Sequence, residues 1–218
     1  MDAVSFVAAA FFLSRLPRVA PSPAAVGLAG GIRDGLRAFV GVPWVWPVAL
    51  AYAVINLVNV GPWQILGPSL TGEAAWGVVL SVRAVGLLAM SAVMYRLAPR
   101  HPLRFGRVVG ALGACSLLGL GLGVGPVWLA ACAFLGGVGF AASGITWDSA
   151  LQRHVDGARL SRVASVDDLL SFAAIPLGQL LVGPAAAAFG GAPVALCCGL
   201  AFVVAALAPL GVRAVRDL

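Results

Sequence analysis

Lysine is absent from this chain of 218 residues, and all 14 of its cationic side chains are arginine. Charge of either sign is scarce. Asp, Glu, Lys and Arg make up 10% of residues, against roughly 25% in a soluble domain, and 61% are hydrophobic. The mean hydropathy is +1.01. A fold of this length can bury only part of such a surface, which excludes an ordinary water-soluble globule. Histidine is nearly missing, with only His101 and His154. The four cysteines, Cys115, Cys132, Cys197 and Cys198, stand inside apolar runs without the paired spacing and His partners of a zinc site. They read as small apolar packing residues, with no metal, cofactor or disulfide implied. The apolar runs do not alternate with polar residues, which excludes a β-barrel. The net charge of +6 lies beside hydrophobic runs rather than along one polar face, which argues against a nucleic-acid partner.

What is present is a rhythm. Thirteen of the arginines fall into four clusters: Arg15 to Arg37, Arg96 to Arg107, Arg153 to Arg162, and Arg213 with Arg216. From the second cluster onward, two apolar stretches joined by an arginine-free turn separate each cluster from the last. Arginines concentrate on the cytoplasmic side of a bilayer, so the pattern reads as hairpins threaded through a membrane. The expected fold is an all-α integral membrane protein, a six-helix transmembrane bundle preceded by a partial helix. The spans are expected at about 43–66, 74–97, 108–124, 127–147, 169–189 and 193–212. The bilayer is the first partner, and the expected location is the plasma membrane, multi-pass, with the C-terminus cytoplasmic and Glu73 on an outer turn.

Residues 1–16 read as the end of a transmembrane helix. Ala3 to Leu13 is apolar but short for a span of about 20 residues, and Asp2 before it with Arg15 and Arg18 after it reverses the charge order of a secretory signal. The expectation is a chain whose beginning is missing. Residues 17–42, rich in Pro, Gly and Ala, read as a cytoplasmic linker, with Ile32 to Val40 forming a short amphipathic surface helix.

Arg83 is the sharpest chemical signal, because it falls near the middle of the second span, where a lone guanidinium costs at least ~2.5 kcal/mol. It either faces a wet cavity, attracting an anion or coupling ions, or pairs with Asn56, Asn59 or Gln64 of the preceding span. Asn56 and Asn59 are three apart and share a helix face, and Gln64 follows about a turn and a half on. With Pro62, which removes a backbone donor, they mark that span as a helix lining a path; hydrogen bonding between helices is the alternative. Gln179, midway along the fifth span, carries the same two readings. Asp148 ends the fourth span with Arg153 five residues on, as a gate pair or a solvated helix-end carboxylate. Asp167 and Asp168 open the fifth span, where Ser165-x-x-Asp168 fits a capping box; a proton-carrying role is the other reading.

Gly137-Val138-Gly139-Phe140-Ala141-Ala142 fits a dinucleotide fingerprint in letters but lacks the preceding strand and the ribose-binding acid, and is rejected. Gly106, Gly110, Gly113 and Gly121 fall on one stripe and read as close helix packing. Ser81, Ser91, Ser116 and Ser143 have no His or Asp at matching depth, so an intramembrane enzyme is not expected.

The stretch Trp147-Asp148-Ser149-Ala150-Leu151-Gln152-Arg153-His154-Val155, then Leu160-Ser161-Arg162-Val163-Ala164-Ser165, then Pro176-Leu177-Gly178 and Gly183-Pro184, resembles the segment joining the tenth and eleventh helices of the major facilitator superfamily. It is most similar to the bacterial multidrug- and siderophore-exporter branch. A degenerate echo of that family's Gly-x-x-x-Asp-Arg-x-Gly-Arg-Arg loop runs from Ser91 to Leu103. Arg96, Arg100 and Leu103 hold their places, while Ser91, Tyr95 and Ala98 replace Gly, Asp and Gly. The resemblance implies the C-terminal half of a twelve-helix transporter, working with an N-terminal half or a second copy. It further implies alternating-access transport of a small molecule, with proton-coupled efflux as the expected mode. The substrate path would then be lined by Asn56, Asn59, Gln64, Arg83 and Gln179. The cytoplasmic gate and loops would hold Arg96, Arg100, Asp148, Arg153 and Arg162. The rival expectation is a truncated membrane protein that transports nothing or docks on a full-length transporter.

Overall fold

The structure, a computed structural model, describes residues 2–15, 28–97 and 99–218. The chain divides into two compact units, Met1–Gly31 and Ile32–Leu218. In the first, α1 (Asp2–Ser14) is 13 residues long, with Phe6, Phe11, Phe12 and Leu13 exposed. At 1.5 Å per residue it is about 20 Å long, short of a hydrocarbon core of about 30 Å. Arg15 closes it with the guanidinium 4.8 Å from the Phe11 ring centroid.

The described residues contain no strand. α2 (Leu28–Val40) covers the expected surface helix and four residues before it. Then follow α3 (Val45–Thr71), α4 (Glu73–Arg96), α5 (Pro102–Gly110), a 3-10 turn over Ala111–Ala114, α6 (Cys115–Gly121), α7 (Pro126–His154), α8 (Gly157–Phe189), α9 (Gly191–Leu207), a second 3-10 turn and α10 (Arg213–Arg216). Six segments are long and apolar enough to cross a membrane, with α5 and α6 forming one of them. Gly72 and Gly190, at φ 81° and 87°, make the α3–α4 and α8–α9 turns, a backbone region that costs glycine little.

Several boundaries differ from the expected ones. The stretch between the fourth and fifth expected spans, 148–168, is almost entirely helix: α7 runs on to His154 and α8 starts at Gly157. Once the apolar stretch ends, polar residues continue the helix because its backbone is already hydrogen-bonded and only the outer turns meet water. The capping box is therefore not formed. Ser165 lies well inside α8, and its hydroxyl donates to the Ser161 carbonyl at 2.7 Å. The third span begins at Pro102 rather than Val108, since proline suits the first helical position, so Arg104 and Arg107 belong to a helix and not to a loop. α3 also continues through Pro62 and Pro68 to Thr71.

Within the second unit, α3 packs mainly on α8 and α9, and α4 and α5 pack mainly on α7. Small residues allow this. A Cβ on Gly178 would collide with the Leu57 carbonyl where α8 crosses α3, and one on Gly86 would meet the Phe134 carbonyl where α4 crosses α7. Gly137 and Gly139, of the rejected fingerprint, serve the same purpose against Arg83 and Gly113 backbone atoms. The glycine stripe of α5 and α6 serves two neighbours, Gly106 and Gly110 facing Thr146 and Ser143 of α7, Gly113 and Gly121 facing Phe202 and Leu196 of α9. Apolar clusters close both ends of the bundle. Phe39, Trp44, Val48, Trp147, Leu151 and Val163 lie at the arginine-rich end. Trp63, Leu66, Leu117, Leu129 and Val182 lie at the other.

Candidate functional site: a polar seam holding two arginines

On α3, Tyr52, Asn56, Asn59 and Trp63 recur at helical spacing and fall within about 60° of one another. This stripe runs for roughly 16 Å of helix, about half of a hydrocarbon core. On α7, Phe140, Ser143 and Trp147 make a similar stripe. The two stripes meet through side chains. Tyr52 Oη lies 2.9 Å from Ser143 Oγ. The Tyr52 and Trp147 rings are 5.7 Å apart, and Trp147 also meets Trp44 edge-on at 5.8 Å.

Two guanidinium groups fill this seam. Arg107 of α5 is 1% exposed, donates from Nη2 to Ser143 Oγ, and lies 4.4 Å from the Tyr52 ring centroid. Its Nε and Nη1 have no hydrogen-bond partner. Arg83 of α4 is half-buried between two rings, 5.2 Å from Trp63 and 5.4 Å from Phe140, and its Nε is likewise unpartnered. Among the described residues no carboxylate forms an ion pair with either. The negative faces of aromatic rings are what hold these two charges in an apolar surround.

The seam continues into α8. Trp147 Nε1 donates to Asp167 Oδ2 at 2.9 Å; Asp167 is buried, and its Oδ1 is unpartnered. Asn56 Nδ2 donates to the Ser171 carbonyl at 3.1 Å. Further along, Gln179 Nε2 donates to Gln64 Oε1 at 3.3 Å on an exposed part of the α3–α8 contact. Asn59 is buried.

Of the residues expected to line a path, Asn56, Asn59 and Arg83 thus border the seam, and Gln64 and Gln179 meet each other. Arg83 makes no hydrogen bond to Asn56, Asn59 or Gln64; the pairing expected with those amides is replaced by the two rings. Asp167 joins the seam from the interior of α8, and Asp168 is exposed. Asp148 is exposed, and among the described residues no ion pair joins it to Arg153 or Arg162. Arg96 ends α4, and Arg100 lies in the turn that follows, beside Ala98, which falls outside the described residues.

Arg107, Tyr52, Ser143 and Trp147 are the members that sequence reading did not assign to a path. The signals were there. Tyr52 and Trp63 extend the Asn56–Asn59 spacing by one turn in each direction, and Pro102 starts a helix early enough to carry Arg107 inward.

By fold, then, the protein is all-α, with six helices of membrane-spanning length and composition around a cation-bearing polar seam, as in a multi-pass membrane bundle. The chain matches no protein-family profile, no curated protein and no solved structure.

Proposed function

We propose that this chain moves a small molecule across the plasma membrane by alternating access, as one six-helix half of a transporter of the major facilitator type. The observation that carries the reading is the seam itself. Intramembrane charges are costly and are kept where they face a pathway or a partner. Here Arg83 and Arg107 are retained with no ion-paired carboxylate among the described residues, and only Arg107 has one, Asp167, within electrostatic reach. Arg83 is the residue that meets cargo, because it is only half-buried and its neighbours Trp63 and Phe140 offer flat apolar surface beside the charge. Arg107 is sealed and positions Tyr52 and Ser143.

The helix pairing supports a rocking unit, since α3 with α8 and α9 forms one group and α4 with α5 and α7 another. α4 and α8 are the least buried of the six spans and are the faces that a second six-helix unit would cover. Proton-driven efflux follows from the family resemblance, with Asp167 as the carboxyl group nearest the seam.

The test is substrate-induced proton movement in proteoliposomes containing the full chain, alone and with a co-expressed six-helix partner, screened with organic anions and apolar cations. The expected result is flux that falls at least tenfold in Arg83→Gln. Flux that is independent of the proton gradient would remove the coupling claim. Flux unaltered by Arg83→Gln would remove the cargo site.

A further inference from the structure

A second cationic site stands apart from the seam. At the arginine-rich end, the last turn of α4, the first residue of α5 and the last turns of α7 enclose a cavity of ≈ 260 Å³. Its polar wall carries Arg96, Arg153 and His154, with Ser149 and Thr146 between them, and its apolar wall is formed by residues such as Met94 and Ile145. Pro99 separates it from a wider, shallower pocket of ≈ 420 Å³ bounded by Arg100, His101 and Arg104 on one side and Phe105, Val108 and Val109 on the other.

Among the described residues, no ion pair to a carboxylate engages Arg96, Arg153, Arg100 or Arg104; Leu218 also borders the first cavity. His154 Nδ1 is engaged with the Ala150 carbonyl at 3.1 Å, which leaves Nε2 available. Tyr95, 92% exposed in the same band, is an aromatic side chain of the kind that settles at the level of lipid headgroups. The first cavity is smaller than the roughly 300–1,000 Å³ of a drug-sized ligand site, so it suits a compact anion better than a transported molecule.

From these features we infer that the paired pockets bind a phospholipid carrying two phosphates, one at Arg96, Arg153 and His154 and the other at Arg100, His101 and Arg104. Arginine suits this role because its planar fork gives paired hydrogen bonds to phosphate oxygens. Exposed apolar residues border both pockets, Leu97 just after α4 and Val108 on α5, and acyl chains would lie along them. A basic pocket between transmembrane helices is a recurrent form of lipid-headgroup site. The inference does not depend on what the seam carries.

The experiment is native mass spectrometry of the full chain, delipidated in detergent and titrated separately with diphosphatidylglycerol, phosphatidylglycerol, phosphatidylcholine and inorganic phosphate. The expected result is selective retention of diphosphatidylglycerol. The double variant Arg96→Gln/Arg153→Gln should weaken it by roughly thirty-fold, the loss of two headgroup attractions. Arg96→Lys/Arg153→Lys, which keeps both charges without the planar fork, should lose less binding than the glutamine pair, and Arg37→Gln, outside both pockets, should change it little. These arginines are exposed, and circular dichroism checks that each variant keeps its helices. Equal retention of phosphatidylcholine, or an equal loss in Arg37→Gln, overturns the site. Preference for phosphatidylglycerol overturns the two-phosphate assignment, and displacement of the lipid by millimolar inorganic phosphate assigns the pocket to a soluble anion instead.

Discussion

Replacing Arg107 with methionine should leave the protein as stable as before or more so, although Arg107 is among the most buried residues in the chain. Its favourable contacts are the Tyr52 ring, about 2 kcal/mol for a desolvated cation–π pair, and the Ser143 hydroxyl, about 2 kcal/mol for a bond from a charged donor. Against these stand two unpartnered donors, Nε and Nη1, at about 1–3 kcal/mol each. Burial of the charge in an apolar surround adds a cost of about 2.5 kcal/mol at mid-membrane, less near a helix end. At their low ends the costs match the gains and at their high ends they exceed them by about 4 kcal/mol, so Arg107→Met should leave the unfolding free energy unchanged or raise it by up to about 4 kcal/mol, as when other buried charges are replaced by apolar side chains. Ser143→Ala should be the worse variant, by about 2 kcal/mol, because it leaves the charge in place and removes its hydrogen-bond acceptor. Reversible unfolding in mixed micelles, followed by tryptophan fluorescence, measures both. A loss above about 3 kcal/mol in Arg107→Met would refute this account and make the arginine a structural element.

Other consequences are simpler. Trp147→Phe removes the hydrogen bond donated to Asp167 Oδ2 and should cost about 1–3 kcal/mol in the same unfolding assay, whereas Asp167→Asn keeps an acceptor and should cost less than half as much. Gly178→Ala, whose new Cβ would strike the Leu57 carbonyl, should destabilise by about 1–3 kcal/mol. Gly144→Ala, with nothing within 4 Å of the added atom, should stabilise by about 0.5–1 kcal/mol, and thermal melts of the two variants should move in opposite directions.

Apolar length and arginine placement were enough to read six membrane-length helices, because both signals are local: a run of about 20 apolar residues needs no partner to be recognised. Asn56, Asn59 and Arg83 were likewise visible as polar exceptions within such runs. The ends of the helices were less legible. Between Asp148 and Val163 the composition changes from apolar to charged while the backbone stays helical, since hydropathy reports the surrounding medium and not the hydrogen-bond pattern. Ser165 and Asp168 had the spacing of a cap but sit inside α8, where that spacing only places two residues near one another on a helix.

The sequence by itself determined the solvent class of this chain, its helical character and its polar exceptions, for composition and periodicity are properties of each segment alone. Only the tertiary structure decided that Arg107 is sealed beneath Tyr52 while Arg83 lies between Trp63 and Phe140, and that Asp167 reaches Trp147 across twenty residues of sequence. Those pairings depend on how α3, α4, α5, α7 and α8 rotate against one another. That rotation is set by where glycines let backbones touch and where large rings hold them apart.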